Sequence, residues 1–513
     1  MIKKLFLLFL LFPAITTYPQ PQNINISQGH VFDGEPFLLI NPQNPNHIII
    51  AWMGYKYNNN IVIKYKISED YGTSWSNAYY IPHTHTGYTS ADVSMDYDNN
   101  GNLYLSFIDY SSSLDSGSVY VCKSTDGGYT WSTPKKVINM YDDNGENPID
   151  RPWISINKTD NSIYIVTLPI AENPIPNRPY VSICNDFDNS NFSWKYLDGN
   201  NYETGNLISR PMAHIISAEN ITCAIYPSYL PSEYPYPRYI LAYKTTQDSS
   251  FSYSPICSLS NPPNDSLAKL GATILINPQN SDQIGCIIYA KPYGDIDIFY
   301  TETIDGGTSW SSLLRVNYDP VGNGIMQDMA WGCINETGDV AIIWRDRRHA
   351  NISGYMTEYE IYAATKKYGN DYFSQNHIIS NTTLPYDSIL NSNGNDFLST
   401  KFIGDSIYAT WGDVRNGKMN IYFTKINTIS WNNNSTILIS KAPLFYPNPI
   451  SSNTINIKDY FLYRNKKLYI IDINGKIIFS TKINSPKIKL PHIKAGSYMI
   501  KIENRNISKL IVN

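Results

Sequence analysis

Five stretches of the chain concentrate side chains able to do chemistry. Asp142, Asp143 and Glu146 lead into Asp150, Arg151 and Trp153, and Ser209, Arg210 and Pro211 follow some sixty residues on. Between Tyr226 and Arg238, a Pro-rich run holds Tyr229, Glu233, Tyr234 and Tyr236. Trp344 to His349 carries Arg345, Asp346, Arg347 and Arg348, and its W-x-D-x-R pattern returns at Trp411, Asp413 and Arg415. Carboxyl groups such as Asp150 and Glu233 can move a proton. The planar guanidiniums of Arg151, Arg210, Arg238, Arg345, Arg348 and Arg415 match carboxylate or sulfate oxygens two at a time. Trp153, Tyr229 and Tyr236 offer flat faces for stacking. Each stretch also has a purely structural use. W-x-D-x-R reads equally as an Asp–Arg pair bracing a hairpin, and the Tyr/Pro run as a loop packed over its own sheet.

Other signals are weaker. Asp96, Asp98, Asn100 and Gly101 match the start of a calcium loop, but the twelfth position is Phe107 rather than Glu, which leaves a hairpin turn. His83 and His85 lack a third ligand. The six cysteines form no CxxC pair, so zinc is not expected. Most lie in apolar runs and read as buried thiols, with Cys223 and Cys257 the pair to consider for a disulfide. A nucleophile elbow, a phosphate loop and an HExxH motif are all missing. No metal or cofactor is expected, and a net charge of -4 over 513 residues argues against nucleic acid as a partner.

The elements that must position these residues are strands. Charged residues are 16% of the chain, and short β-branched and aromatic runs alternate with Asn, Gly and Pro. Three segments repeat one pattern: Ser68, Asp70, Gly72, Trp75; Ser124, Asp126, Gly128, Trp131; and Thr303, Asp305, Gly307, Trp310. Weaker copies centre on Asn191, Asp248 and Gly369 and on the stretch from Thr424 to Trp431. The closing aromatics fall at 75, 131, 194, 253, 310, 372 and 431, a period of 56 to 63 residues. Four strands per unit, repeated radially, predict a propeller blade. The Ser/Thr and Asp side chains can bond turn amides and Gly allows positive φ, so these residues read as structural. Either Asn23 to Ser27 or Thr436 to Ser440 can close the ring.

The repeated segment resembles the Asp box, or BNR repeat, of sialidases and related proteins. The resemblance implies an all-β fold: a seven-bladed propeller over residues 23–440. Met1 to Lys4 followed by the apolar run Leu5 to Phe12 has the form of a signal peptide, ending near residue 20. It is too short to span a bilayer, and no comparable run follows, so no transmembrane segment is expected. From about residue 443 the pattern changes. Tyr446, Pro447, Asn448 and Pro449, then Leu468 to Gly475, Ile493 to Tyr498 and the closing Lys509 to Asn513, resemble the type A sorting domain of the type IX secretion system. That resemblance implies a small Ig-like β-sandwich over 443–513, engagement of the secretion machinery, and an exported protein of Bacteroidota-like source, released or attached at the surface.

Likeness to sialidases also implies three arginines on a substrate carboxylate, a Tyr nucleophile assisted by Glu, and an Asp acid/base. At the place of their leading arginine this chain has Glu35, which would repel a carboxylate, and seven units replace their usual six. Asp150, Arg151, Arg210, Glu233, Tyr234 and Arg345 remain the catalytic candidates, and Trp153, Tyr229, Tyr236, Arg238, Arg348 and Arg415 the ligand-binding ones. The leading expectation is an exported propeller binding glycans, glycoproteins or other extracellular polymers through its loop face. A sialidase-type glycoside hydrolase is the alternative.

Overall fold

The computed structural model describes residues 21–512 apart from 56–59, 114, 143–148, 170–178, 198–212, 229–237, 259–272, 291–293, 352–353, 387–393, 433–444, 447–448, 451–452, 458–462, 464–465, 473–474 and 503–504. Among these, strands dominate, and one helical turn, Ile429–Asn432, follows the last strand of the repeat region. The described strands form seven four-stranded antiparallel sheets up to residue 427, and one three-stranded and one further four-stranded sheet after residue 444.

Six of the seven sheets are built from consecutive strands. Sheet one, for example, runs Asp33–Ile40, Ile48–Tyr55, Ile61–Ser68 and Tyr79–Tyr80. The seventh takes its outer strand, Ile24–Asn25, from the start of the chain and pairs it with Asn420–Asn427. The amino-terminal segment therefore closes the architecture; Thr436 to Ser440 lies outside the described residues. First strands of neighbouring sheets pack side by side: Asp33–Ile40 on Tyr88–Tyr97, and so on around to Gln327–Ile334 on Ser399–Ile403, which returns to Asp33–Ile40. This closed circuit explains why the first strand of sheet one ends in a run that is apolar on both faces: Phe37, Leu38, Leu39 and Ile40 are all buried.

The hairpin between third and fourth strands locks each sheet to the one before it. In sheet one the Ser68 hydroxyl donates to Asp70 (2.8 Å) and accepts from the Gly72 amide (2.8 Å), while Asp70 accepts from the Ser74 amide (2.8 Å) and hydroxyl (2.6 Å). Those bonds from Ser74 hold the Asp70 carboxyl down at about 2. Gly72 sits at φ 85°, and a Cβ there would lie 2.6 Å from the Phe423 ring, so the turn admits only glycine. Trp75 meets the same ring edge-on at 5.2 Å, joining sheet one to sheet seven. The Asp126 and Asp305 turns repeat the pattern bond for bond, and Trp131 donates to Tyr65 of the preceding sheet at 3.0 Å.

Two weaker copies work differently from their sequence alignment. In sheet three the turn is held by Asp186, which accepts from the amides of Asp188 and Asn189, rather than by Asn191. In sheet four Asp248 accepts from the amide and hydroxyl of Thr245, not Thr246. Cys223 is a free, buried thiol, so it does not pair with Cys257. The register explains this: Cys223 lies opposite Tyr243 in one neighbouring strand, whereas Cys257 lies opposite Tyr239 on that strand's far side. Asp98 forms the turn expected of it, accepting from the amides of Asn100 and Asn102.

Candidate functional site

Four first strands share a local irregularity. Their register slips between Gly34 and Phe37, Ala91 and Ser94, Asp150 and Trp153, and Asp328 and Trp331. Each slip is a β-bulge that places one non-glycine residue at positive φ: Glu35 (55°), Asp92 (53°), Arg151 (53°) and Met329 (51°). Such conformations cost of order 1–3 kcal/mol each and persist only where the surroundings impose them. Pairing fixes which end of the sheet they occupy. Asp33 lies opposite Gly54 and Gly54 opposite Val62, whereas Ile40 lies opposite Ile48 and Ile48 opposite Ser68 of the Asp box. The bulges therefore sit at the end remote from the boxes.

Three of these residues converge. Arg151 of sheet three is ion-paired across the ring with Asp396, which precedes the first strand of sheet seven, and its amide donates to Asp92 of sheet two at 3.2 Å. Glu35 of sheet one accepts from the amides of Asn395 (2.9 Å) and Asp396 (3.3 Å). The carboxyls of Glu35, Asp92 and Asp150 adjoin one another, and each resists taking a negative charge beside its neighbours. Burial, reinforced by the adjoining Glu35 carboxylate, pushes Asp92 up to about 8. Burial and then Asp92 raise Asp150 well above the usual carboxylate range, and burial raises Glu35. Burial works against the Arg151 charge, but Asp396, Asp150, Asp92 and Glu35 outweigh it and keep the guanidinium protonated. Four carboxyls thus surround one guanidinium. The cluster opens at its edge, where the Asp150 and Asp396 side chains are 17% and 10% exposed.

The ring axis also carries an aromatic cluster. Trp153 meets Phe397 at 5.0 Å, Trp331 at 5.2 Å and His214 at 5.3 Å, and Phe37 at 6.1 Å. His214 is driven down to about 3 by burial and is neutral. With Trp153 only 3% exposed, it packs the axis rather than offering a stacking face.

The other sequence candidates lie elsewhere. Arg345 donates from Nε to Asp328 at 2.7 Å and is also ion-paired to it through Nη2, and it is separate from the Arg151 cluster. Arg348 and Arg415 occupy equivalent places. Each grips the Asp two residues before it, each of those Asp residues accepts from a Trp indole (Trp344 at 2.8 Å, Trp411 at 3.0 Å), and each guanidinium lies over a Tyr ring, Tyr362 or Tyr422. The two W-x-D-x-R copies brace hairpins. Arg210, Tyr229, Glu233, Tyr234, Tyr236 and the Arg238 side chain lie outside the described residues. Glu35 entered the sequence reading only as a repelling charge, and Asp92 and Asp396 were missed. One signal could have found Glu35: Glu35-Pro36-Phe37 matches Arg151-Pro152-Trp153 in type and position. Among the described residues no group of three or more His, Cys, Asp or Glu side chains is arranged to hold a metal ion.

Residues 444–513 match the family model of the secretion system C-terminal sorting domain. The chain is thus a β-propeller protein ending in a type IX sorting domain, and it is exported, to be secreted or attached at the cell surface. That domain implies engagement of the type IX machinery. No helix among the described residues is long and apolar enough to cross a membrane. No curated protein matches the chain. Solved structures similar to it include an α-L-arabinanase of Penicillium chrysogenum complexed with arabinobiose (12% identity, 80% of this chain and 99% of that one, TM-score 0.45). An α-L-arabinofuranosidase of Fusarium graminearum with an iminosugar inhibitor is 12% identical over 81% of this chain and 100% of that one, TM-score 0.45. The Trypanosoma rangeli sialidase is 9% identical over 77% and 55%, TM-score 0.39.

Proposed function

We propose that residues 23–440 form a seven-bladed Asp-box propeller that binds glycans, glycoproteins or other extracellular polymers on the face remote from its Asp boxes. In this reading residues 1–20 are the export signal and 443–513 an Ig-like sandwich that addresses the protein to the secretion system. The observation that carries it is the carboxyl cluster on the ring axis with its exposed edge at Asp150 and Asp396. At that edge a protonated Asp150 donates a hydrogen bond, and the Asp396 carboxylate accepts one. A sugar carries adjacent hydroxyls that do both, so the pair suits a neutral polyol. The cluster has one guanidinium for four carboxyls and does not suit a sialic acid carboxylate.

Hydrolysis is the second reading, favoured by the same raised carboxyls: a glycosidase acid must hold its proton near neutral pH. Screening the purified protein on a glycan array and against chromogenic glycosides separates the two. Binding without colour release, weakened at least ten-fold in Asp150→Asn, supports the first. Colour release that Asp150→Asn abolishes overturns it in favour of hydrolysis.

A further inference from the structure

Sheet six carries the reverse charge imbalance. Asp328, at the bulge of its first strand, is held by two guanidiniums: Arg345 through Nε at 2.7 Å and through Nη2, and Arg347 through Nη1 at 3.0 Å. Tyr355 belongs to the same group. Its hydroxyl accepts from Arg345 at 2.8 Å, its carbonyl accepts from Arg347 Nε at 3.0 Å, and its ring lies 4.5 Å from the Arg347 guanidinium carbon. Both arginine side chains are 1% exposed and Asp328 is 0% exposed. Arg345 Nη1 and Arg347 Nη2 are buried and have no hydrogen-bond partner.

A buried guanidinium edge without an acceptor is costly, and two guanidiniums on one carboxylate leave one positive charge over. The nearby carboxylates of the sheet are engaged elsewhere: Asp346 holds Trp344 and Arg348, and Glu360 holds His349. The tyrosine ring faces attract the cations but cannot accept in-plane N–H bonds from the guanidinium edges. We propose that Arg345 and Arg347 form an anion site on sheet six, taking a small monovalent anion of chloride or bromide size on Nη1 and Nη2. Such an anion supplies the missing charge and accepts from both edges, and its small radius suits a place closed to solvent.

The full-length protein is unfolded thermally at constant ionic strength with gluconate, too large for the site, progressively replaced by bromide. An anion bound only in the folded state gives a rise in Tm that grows with the logarithm of bromide concentration, on the order of 2 °C for each ten-fold increase beyond its Kd. Arg347→Met is expected to abolish that rise. Bromide-soaked crystals of the unaltered protein should show an anomalous peak beside Arg345 and Arg347, which tests the site even if the variant does not fold. Equal Tm in bromide and gluconate, a rise that survives in Arg347→Met, or soaked crystals with no peak at the guanidiniums would overturn the proposal.

Discussion

Sheets three and six solve one backbone problem with opposite electrostatics. Asp150-Arg151-Pro152-Trp153 and Asp328-Met329-Ala330-Trp331 align residue for residue, bulge at the same step, and send their tryptophans to within 5.2 Å of each other on the axis. In sheet three the positive-φ residue is a charged one that reaches across the ring, so carboxyls from sheets one, two and seven gather around a single arginine. In sheet six the corresponding residue is Met329, buried in the core, and Asp328 instead turns to two arginines of its own sheet. The difference teaches that the bulge builds the rim of the axis, while one side chain decides whether the carboxyl beside it keeps a partly exposed edge or is fully buried.

The sharpest break of this comparison is removal of the arginines. Arg151→Met leaves the Asp396 carboxylate without its cation beside three further carboxyls and should cost about 3–5 kcal/mol. Arg345→Met should cost less, because Arg347 keeps Asp328 paired. Urea unfolding of the two variants measures the contrast, and equal losses would erase it. Next comes ligand binding: Asp150→Asn should weaken array binding at least ten-fold and Asp328→Asn leave it unchanged, provided circular dichroism shows both folded.

The pH dependence should also diverge. Folded Asp92 keeps its proton up to about 8, whereas the unfolded chain releases it near 3.8, so the folded state binds more protons in between. The contribution of Asp92 to stability therefore falls as pH rises from about 4 to about 8. Asp92→Asn should flatten that slope. Burial would raise Asp328, but Arg345 and Arg347 outweigh it and hold its carboxyl below the ordinary range. Its contribution is thus complete above about 4 and lost only as pH drops further, and unfolding across pH 3–9 separates the two windows. The smallest effect is expected at the indoles. Trp153 Nε1 has no hydrogen-bond partner, so Trp153→Phe should cost about 1 kcal/mol. Trp344→Phe leaves Asp346 short of a donor and should cost about 1–3 kcal/mol.

Much of the scaffold was legible because its signals are local. Asp70, Asp126 and Asp305 cap their turns with atoms two to four residues away, so residue type and spacing suffice to recognise them. The degenerate copies failed for the same reason: once Asn191 replaces the Asp, the turn recruits Asp186, and a fixed template cannot follow. The sorting tail was readable from four motifs in order. The site was only half legible. Asp150 and Arg151 stood out as a charged pair beside Pro152, but Asp92 and Asp396 sit in unremarkable surroundings.

By itself, the sequence determined that the chain is all-β, that its hairpins recur at a nearly constant period, and that its end carries an export address, since each is written in short-range pattern. Only the tertiary structure decided which charges meet. Arg151 and Asp396 are 245 positions apart and touch because the ring closes on Ile24–Asn25, whereas Arg151 and Arg345, both catalytic candidates from the sequence, end in separate clusters. Ion pairing depends on distance in space, and in a closed ring that distance is set by the last strand to join.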